Sequence, residues 1–332
     1  MTIQRISWYR TSLTIIAILL GLSLGLANIA SANDKPDPRT TDPDGVVTSS
    51  EDGINTIAVD EWTAEEMRNA TPYPMPQNIG RTTLPGLDTA TPDGPAEVMP
   101  GTLPETENTD DIGLFSTGEV SSYSAYPYSA VGKIFFRQNG GSFVCSGAVI
   151  KSNEIWTAGH CVHSGNGSNS GWSTNVVFVP QYRDGSAPCG QWNVSQLATT
   201  TDWYTNGQAR GGLDQDYAKG LVSNPNTGCT GILGFAFNQS YSQQYLSVGY
   251  PAQSPYSGGR MIFCNEPLLR TDSGSPRTYG ISCPMNGGAS GGPFIINNNA
   301  LNGNNSYIYP GANQLYSPYF DSNAKSFYDY RF

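Results

Sequence analysis

The six cysteines of this 332-residue chain constrain its fold more than any other feature. All lie in the C-terminal part, at Cys145, Cys161, Cys189, Cys229, Cys264 and Cys283. An even number of cysteines in an exported protein predicts a disulfide framework, here of three bridges. Metal-binding thiols are the alternative. The sequence, however, has no Cys-x-x-Cys pair, and its two histidines lie close together at His160 and His163. We therefore expect no zinc site, and we assign no metal and no cofactor.

The N-terminal residues carry the features of an export signal. Arg5 and Arg10 precede an apolar run over residues 13–29, and Ala30-Ser31-Ala32 follows as a sequence of the kind that a signal peptidase accepts. A membrane anchor is the alternative, but the run is near the lower length limit for a span. We expect residues 1–32 to be a cleaved signal peptide. The protein is then secreted to the extracellular space and keeps no membrane segment.

A change of composition near residue 120 divides the remaining chain. Residues 33–120 hold 18 acidic and 4 basic residues, many prolines and no cysteine. Such a segment has little apolar surface to bury. We expect residues 33–120 to be a mostly extended or disordered propeptide, in which Asp60 to Met67 could form a turn or two of helix. A disordered surface linker is the alternative. The overall net charge of −10 argues against nucleic acid as a partner.

Residues 121–332 have the composition of a β-protein. Five segments are typical of strands, namely Val131–Arg137, Phe143–Ile150, Asn175–Val179, Gly231–Phe237 and Tyr307–Tyr309. Clusters of Gly, Asn, Ser and Pro separate them. A charged content of only 13% excludes a coiled coil or a long helical array. The predicted class is all-β, and this length is sufficient for two small barrels or sandwiches.

Two segments can carry acid–base and nucleophilic chemistry. His160 lies in TAGHC (157–161), and an imidazole can transfer protons near neutral pH. Ser290 lies in GGASGGP (287–293), where glycines let backbone N–H groups approach a bound carbonyl. A serine nucleophile needs an adjacent base, and a histidine base needs a carboxylate to orient it. The carboxylates between the two segments are Asp184, Asp202, Asp214 and Asp216.

Taken in order, these motifs resemble those of the chymotrypsin-like serine proteases. TAGHC resembles the family's T-A-A/G-H-C, DYA (216–218) resembles its D-aliphatic-A segment, and GASGGP (288–293) resembles its G-D-S-G-G-P. The resemblance covers about residues 125–332. It is nearer to the microbial trypsin-like and glutamyl endopeptidase branch than to trypsin itself. It implies two six-stranded antiparallel β-barrels, with the active site between them.

The resemblance also implies a role for each motif residue. His160 is expected to be the general base, Asp216 its orienting carboxylate and Ser290 the nucleophile. The backbone N–H groups of Gly288 and Ser290 are expected to form the oxyanion hole. Asp214 is the competing carboxylate, and we favour Asp216 because the rest of the motif follows it.

The family resemblance implies one disulfide, Cys145–Cys161, beside the histidine motif. For the other four cysteines three pairings are possible, and proximity in the sequence favours Cys189–Cys229 and Cys264–Cys283. The second histidine, His163, is expected in a surface loop.

Two positions depart from the trypsin branch of the family. Ala289 stands where that branch has an Asp that pairs with the new N-terminus on activation, so this ion pair is not available here. Pro284 stands where trypsins have the Asp that selects Lys and Arg, which disfavours a trypsin-like preference. Glutamyl endopeptidases bind the substrate carboxylate with a His after the nucleophile, and none follows His163.

The sequence LNGNNSYI (301–308) resembles the family's substrate strand. Ser306, Tyr307 and Ile308 are therefore expected to line the substrate pocket with Pro284, and their backbone to pair with an extended peptide. Since Ile308 stands where the family often has Gly, we expect an uncharged residue of small or medium size before the scissile bond.

The sequence thus predicts a secreted serine endopeptidase that is made as a precursor and acts as a monomer on polypeptide substrates. Its own propeptide is expected to keep the enzyme inactive or to assist its folding. The alternatives are an esterase with the same site, a non-enzymatic binding protein on a protease scaffold, and an acidic surface protein whose active part is residues 33–120. A reagent that labels activated serines separates the endopeptidase and the esterase, which it labels, from the binding protein and the acidic surface protein, which it does not.

Overall fold

The computed structural model describes residues 45–49, 62–77, 91–105, 116–209 and 211–332. The expected signal peptide, residues 1–32, lies outside these ranges. No helix within them is long and apolar enough to cross a membrane. The α-helices are Ala64–Asn69, Gly159–Val162, Thr201–Asn206, Thr227–Thr230 and Ser322–Asp329, and short 3-10 helices span Tyr128–Ala130, Asn169–Gly171 and Gly212–Gln215.

A closed six-stranded antiparallel barrel forms the first half of the predicted protease domain. Its strands are β5 (Val131–Gln138), β6 (Gly141–Lys151), β7 (Glu154–Thr157), β8 (Thr174–Pro180), β9 (Trp192–Thr200) and β10 (Ala218–Val222). They pair in the order β9-β10-β7-β6-β5-β8, and β8 pairs with β9 to close the barrel. The β5–β6 hairpin turns at Asn139-Gly140, whose φ angles of 49° and 78° suit a two-residue turn.

The second half is built from two further sheets. Its strands are β11 (Gly234–Phe237), β12 (Gln244–Gly249), β13 (Ile262–Pro267), β14 (Arg270–Thr271), β15 (Tyr279–Ser282), β16 (Pro293–Ile296), β17 (Ala300–Asn304), β18 (Tyr307–Ile308) and β19 (Gln314–Ser317). One sheet contains β11-β17-β16-β12-β13 in that order, and the other has the order β14-β15-β19-β18. The all-β class is confirmed. In the second half, the backbone hydrogen bonds that a single six-stranded barrel would share are divided between these two sheets.

Strands from the acidic segment extend the sheets of both halves. They are β1 (Val46–Thr48), β2 (Thr71–Pro72), β3 (Glu97–Met99) and β4 (Ser116–Glu119). β1 pairs with β9 and β2 with β6 in the barrel, whereas β3 pairs with β11 and β4 with β13 in the second half. Val46, Trp62 and Met67 are buried. The described parts of residues 33–120 thus pack as short strands and one helix.

An aromatic cluster around Trp156 joins the two halves. The indole of Trp156, on β7, stacks on Tyr217 with ring centroids 5.4 Å apart. Phe235 of β11 lies 4.8 Å away, and Phe327 of the C-terminal helix lies 5.5 Å away, both edge-on. Because aromatic rings bury large areas, this cluster fixes the second half against the barrel wall that carries the histidine motif.

The structure contains all three predicted disulfides. Cys145–Cys161 ties the helix that follows β7 to strand β6, and Cys189–Cys229 joins the segment between β8 and β9 to the helix Thr227–Thr230. Cys264–Cys283 links β13 to the residue after β15, and so joins the two sheets of the second half.

Candidate active site

The register of β7 and β10 places Asp216 beside His160. Ala218 pairs with Thr157, so the residues before β10 lie next to those that follow β7. The Asp216 carboxylate accepts two hydrogen bonds from His160, one from its backbone N–H to Oδ1 and one from Nδ1 to Oδ2, each 2.8 Å long. Both residues are buried. A carboxylate at Nδ1 fixes the tautomer that leaves Nε2 free to accept a proton.

The third hydrogen bond to this carboxylate comes from Ser306. Its hydroxyl donates to Asp216 Oδ2 at 2.5 Å. The carboxylate therefore accepts three hydrogen bonds, which fix its orientation against the imidazole. Gly159 allows this approach, because a Cβ at position 159 would lie 2.6 Å from the Trp203 ring and 3.0 Å from Asp216 Oδ1. The local motif thus needs a glycine before His160 for a packing reason.

Ser290 is held against the same region of the barrel. Its carbonyl accepts from the backbone N–H of Ser146 at 2.7 Å and lies 3.7 Å from Cys161 Sγ, the residue after His160. Ser290 Oγ and His160 Nε2 are both buried, and neither has a hydrogen-bond partner among the described residues. A buried hydroxyl and a buried imidazole nitrogen rarely stay unpaired outside a functional site.

The two amides expected to form the oxyanion hole have fixed orientations. The Gly287 carbonyl accepts from Ala252 N–H at 2.8 Å, so the Gly288 N–H of the same planar peptide points the other way. The Ala289 carbonyl accepts from Asn305 Nδ2 at 2.8 Å, which sets the Ser290 N–H in the same manner. Within the described ranges, neither N–H donates a hydrogen bond.

Further hydrogen bonds hold the loop that carries these amides. Ser146 Oγ donates to the Gly288 carbonyl at 2.9 Å and accepts from Tyr250 N–H at 2.9 Å. Gly288 has φ +98°, and a Cβ there would lie 2.6 Å from the Tyr250 carbonyl, so the turn requires glycine. Asn305 Oδ1 accepts from Ser247 Oγ at 2.7 Å. Ser146 and Asn305 have no sequence signal that pointed to this role.

The four residues expected to line the substrate pocket differ from one another in burial and in contacts. The Ser306 hydroxyl is used by Asp216, and the buried Tyr307 hydroxyl bonds to Asp272 Oδ2 at 2.8 Å. Pro284 is exposed. Ile308 is half-buried and packs against an apolar cluster of the second half that contains Cys283 and Met285.

Two other candidate residues lie elsewhere. The expectation that His163 is a surface residue is wrong, since it is fully buried. Its Nδ1 accepts from Gly165 N–H at 3.0 Å, its Nε2 donates to Ser168 O at 2.8 Å, and its ring stacks on Tyr204. The competing carboxylate Asp214 accepts from Ser275 N–H at 3.0 Å.

One described group has donor atoms close enough to hold a metal ion. Cys145, His160 and Cys161 place their ligand atoms within 4.8 Å of one another. The two cysteines are bonded to each other, and a metal requires free thiolates. The donor chemistry of this group therefore does not fit a metal site.

Comparison with known proteins adds independent information. No protein-family model matches the chain. It is 24% identical over 169 residues to a protein of Bacillus subtilis (strain 168) named extracellular metalloprotease, and it spans about half the length (50%) of that relative. A solved Glu endopeptidase structure has 20% identity, covers 66% of this chain and 97% of its own, and has a TM-score of 0.54, which shows the fold alone.

Two solved structures are more similar in sequence. Protease Anisep from Arthrobacter nicotinovorans is 34% identical, with 62% of this chain and 96% of that chain covered and a TM-score of 0.55. The thermostable serine protease AL20 from an extremophilic microorganism is 37% identical, with 61% and 96% covered and a TM-score of 0.55. With the closed barrel and the second set of sheets, these matches show that the chain belongs to the chymotrypsin-like serine protease family.

Proposed function

We propose that this protein is a serine endopeptidase, made as a precursor and secreted, that uses His160, Asp216 and Ser290. The observation that supports it most is the pair of unpartnered buried atoms, Ser290 Oγ and His160 Nε2, in a site where a carboxylate orients the imidazole. The three disulfides and the extracellular relative agree with export.

The proposed reaction uses these groups in sequence. His160 Nε2 takes the proton of Ser290 Oγ as this oxygen attacks the substrate carbonyl carbon. The N–H groups of Gly288 and Ser290 stabilise the resulting oxyanion. His160 then gives the proton to the leaving amine, and the C–N bond breaks to leave an acyl-enzyme. Water, deprotonated by the same imidazole, attacks the ester carbonyl; the ester C–O bond then breaks, the imidazolium returns the proton to Ser290 Oγ, and the carboxylic acid product leaves.

The residue preference of the site is part of the proposal. The exposed Pro284 and the absence of an acid from residue 274 to 293 disfavour Lys and Arg before the scissile bond. No histidine follows His163, which removes the main support for a preference for Glu. We expect cleavage after uncharged residues.

Peptide-library cleavage followed by mass spectrometry tests this function. Processed protein is compared with its Ser290→Ala variant and with Ser282→Ala as a matched control, since Ser282 is exposed at the end of β15. We expect cleavage by the wild type and the control, and loss of nearly all turnover in Ser290→Ala. Ester hydrolysis without peptide cleavage would favour the esterase, and no labelling by a serine-directed reagent would favour the binding protein.

A further inference from the structure

A short stretch of the acidic segment lies across the candidate active site. We call residues Thr71–Gln77, with the sequence TPYPMPQ, the cleft segment. Its first two residues form β2 and pair in parallel with Phe143 and Val144 of β6. At its other end, Gln77 forms a parallel bridge with Ile308, whose N–H donates to the Pro76 carbonyl at 3.1 Å. The cleft segment therefore joins the barrel to the expected substrate strand.

Tyr73 covers the catalytic imidazole in this arrangement. Its backbone N–H donates to the Val144 carbonyl at 3.1 Å, and its ring stacks on His160 with centroids 6.1 Å apart and planes 21° apart. Phe143 packs edge-on against the same tyrosine ring, with the ring centroids 5.1 Å apart. Burial, reinforced by the nearby Asp216 carboxylate, raises the pKa of Tyr73. The Tyr73 carbonyl also lies 3.2 Å from the position that a Cβ on Gly287 would take, beside the expected oxyanion hole.

Met75 is the apolar anchor of the cleft segment. Only 5% of this residue is exposed, and it belongs to the apolar cluster that also holds Met285, Cys283 and Ala289. These residues come from the chain immediately before the candidate nucleophile, where the pocket for a substrate side chain is expected. The burial of this methionine side chain stabilises the cleft segment in place.

The prolines of the cleft segment make it a poor substrate. The peptide bonds that follow the two packed side chains, those of Tyr73 and Met75, are Tyr73–Pro74 and Met75–Pro76. A proline nitrogen has no N–H to donate to the site, and its ring fixes φ. The chain can therefore occupy the cleft while neither bond presents an ordinary secondary amide.

A separate anchor holds the cleft segment in place. The preceding helix Ala64–Asn69 begins with a capping box between Thr63 and Glu66. Trp62, just before this helix, packs on Phe135 at 5.5 Å, and its Nε1 donates to the Asn175 carbonyl at 2.9 Å. The segment is thus attached to the barrel upstream of the site, so its effective concentration in the cleft is high.

We infer that the cleft segment is a built-in competitive inhibitor, in which Met75 fills the substrate side-chain pocket, Tyr73 shields His160 and the prolines protect the chain from cleavage. This inference rests on the proposed function. It attributes the inactivity of the unprocessed protein to occupation of the cleft, because Ala289 cannot form the ion pair with a new N-terminus that activates the trypsin branch.

The test uses the full chain before processing. The rate of labelling of Ser290 by a fluorophosphonate is measured for the wild type and for Met75→Asp. The control is Val98→Asp, because Val98 lies on β3 in the same acidic segment and is 53% exposed. Intact-mass measurement confirms that no chain is cut. We expect Ser290 of Met75→Asp to be labelled roughly 10- to 100-fold faster than Ser290 of the wild type and of Val98→Asp, because the variant loses the burial of one methionine.

A second measurement does not depend on how the variant folds. A synthetic TPYPMPQ peptide is added to processed wild-type protein during hydrolysis of a small ester. We expect competitive inhibition and an intact peptide, and equal inhibition by a peptide with Met75→Asp would overturn the role of the pocket. Equal labelling of the unprocessed wild type and Met75→Asp, or cleavage of either X–Pro bond, would overturn the inhibitor. Absence of labelling even after processing would instead reject the proposed function.

Discussion

Replacing Asp216 by Asn tests the chemistry of the site most directly. In the wild type, Oδ1 accepts from the His160 backbone N–H, and Oδ2 accepts from His160 Nδ1 and Ser306 Oγ. An asparagine has one acceptor and one donor at these two positions. If its NH₂ takes the Oδ1 position, it faces the backbone N–H at 2.8 Å, and a buried unpaired donor costs about 1–3 kcal/mol.

The opposite amide orientation is therefore favoured in Asp216→Asn. The NH₂ then takes the Oδ2 position, where the Ser306 hydroxyl can turn and accept. His160 Nδ1 must also accept, so the ring proton moves to Nε2. An Nε2 that carries a proton cannot take one from Ser290. A wrong tautomer of this kind lowers kcat by about 10⁴, which corresponds to about 5.4 kcal/mol of transition-state stabilisation.

The assay compares kcat/KM of processed Asp216→Asn and Asp214→Asn on the same peptide. Asp214 is the matched control, because it is also buried and accepts from Ser275 N–H rather than from His160. Thermal unfolding verifies that both variants fold, and ¹⁵N NMR of the imidazole reports the tautomer. A large loss of rate in Asp214→Asn together with a nearly wild-type rate in Asp216→Asn would refute the assignment.

Two further predictions concern residues to which the sequence motifs assigned no role. Asn305→Leu removes the hydrogen bond to the Ala289 carbonyl, which orients the Ser290 N–H of the expected oxyanion hole. We therefore expect kcat to fall roughly 10- to 10³-fold with little change in KM. Steady-state kinetics checks this, and an effect on KM alone would contradict it. Burial lowers the pKa of Lys133 to about 7, with Asp184 opposing the shift. Between about pH 7 and 10.5, Lys133 carries a proton in the unfolded chain but not in the folded protein. Over this range the unfolding free energy of the wild type should therefore rise with pH relative to that of Lys133→Met, by up to ~1.4 kcal/mol per pH unit. Denaturant unfolding at several pH values measures the difference, and parallel curves would disprove it.

The candidate catalytic residues could be identified from the sequence because each lies in a short local pattern. His160 and Ser290 sit among small residues whose spacing is set by a tight turn, and these patterns are visible without a fold. The choice of Asp216 over Asp214 rested on one motif, and the structure agrees in placing Asp216 against the imidazole. The burial of His163 was missed because its partners Trp172 and Tyr204 have no pattern that connects them to it.

What the sequence by itself determined is therefore the all-β class, the expectation of three disulfides and the candidate chemistry, all of which depend on residue type and short-range order. The tertiary structure alone decided how the site is supported. Asn305 orients the Ala289 peptide, the Ser306 hydroxyl bonds to Asp216, and Tyr73 lies over His160. The last two contacts join residues about 90 positions apart. Such contacts follow from how strands and loops meet in space, and a one-dimensional pattern carries no signal for them.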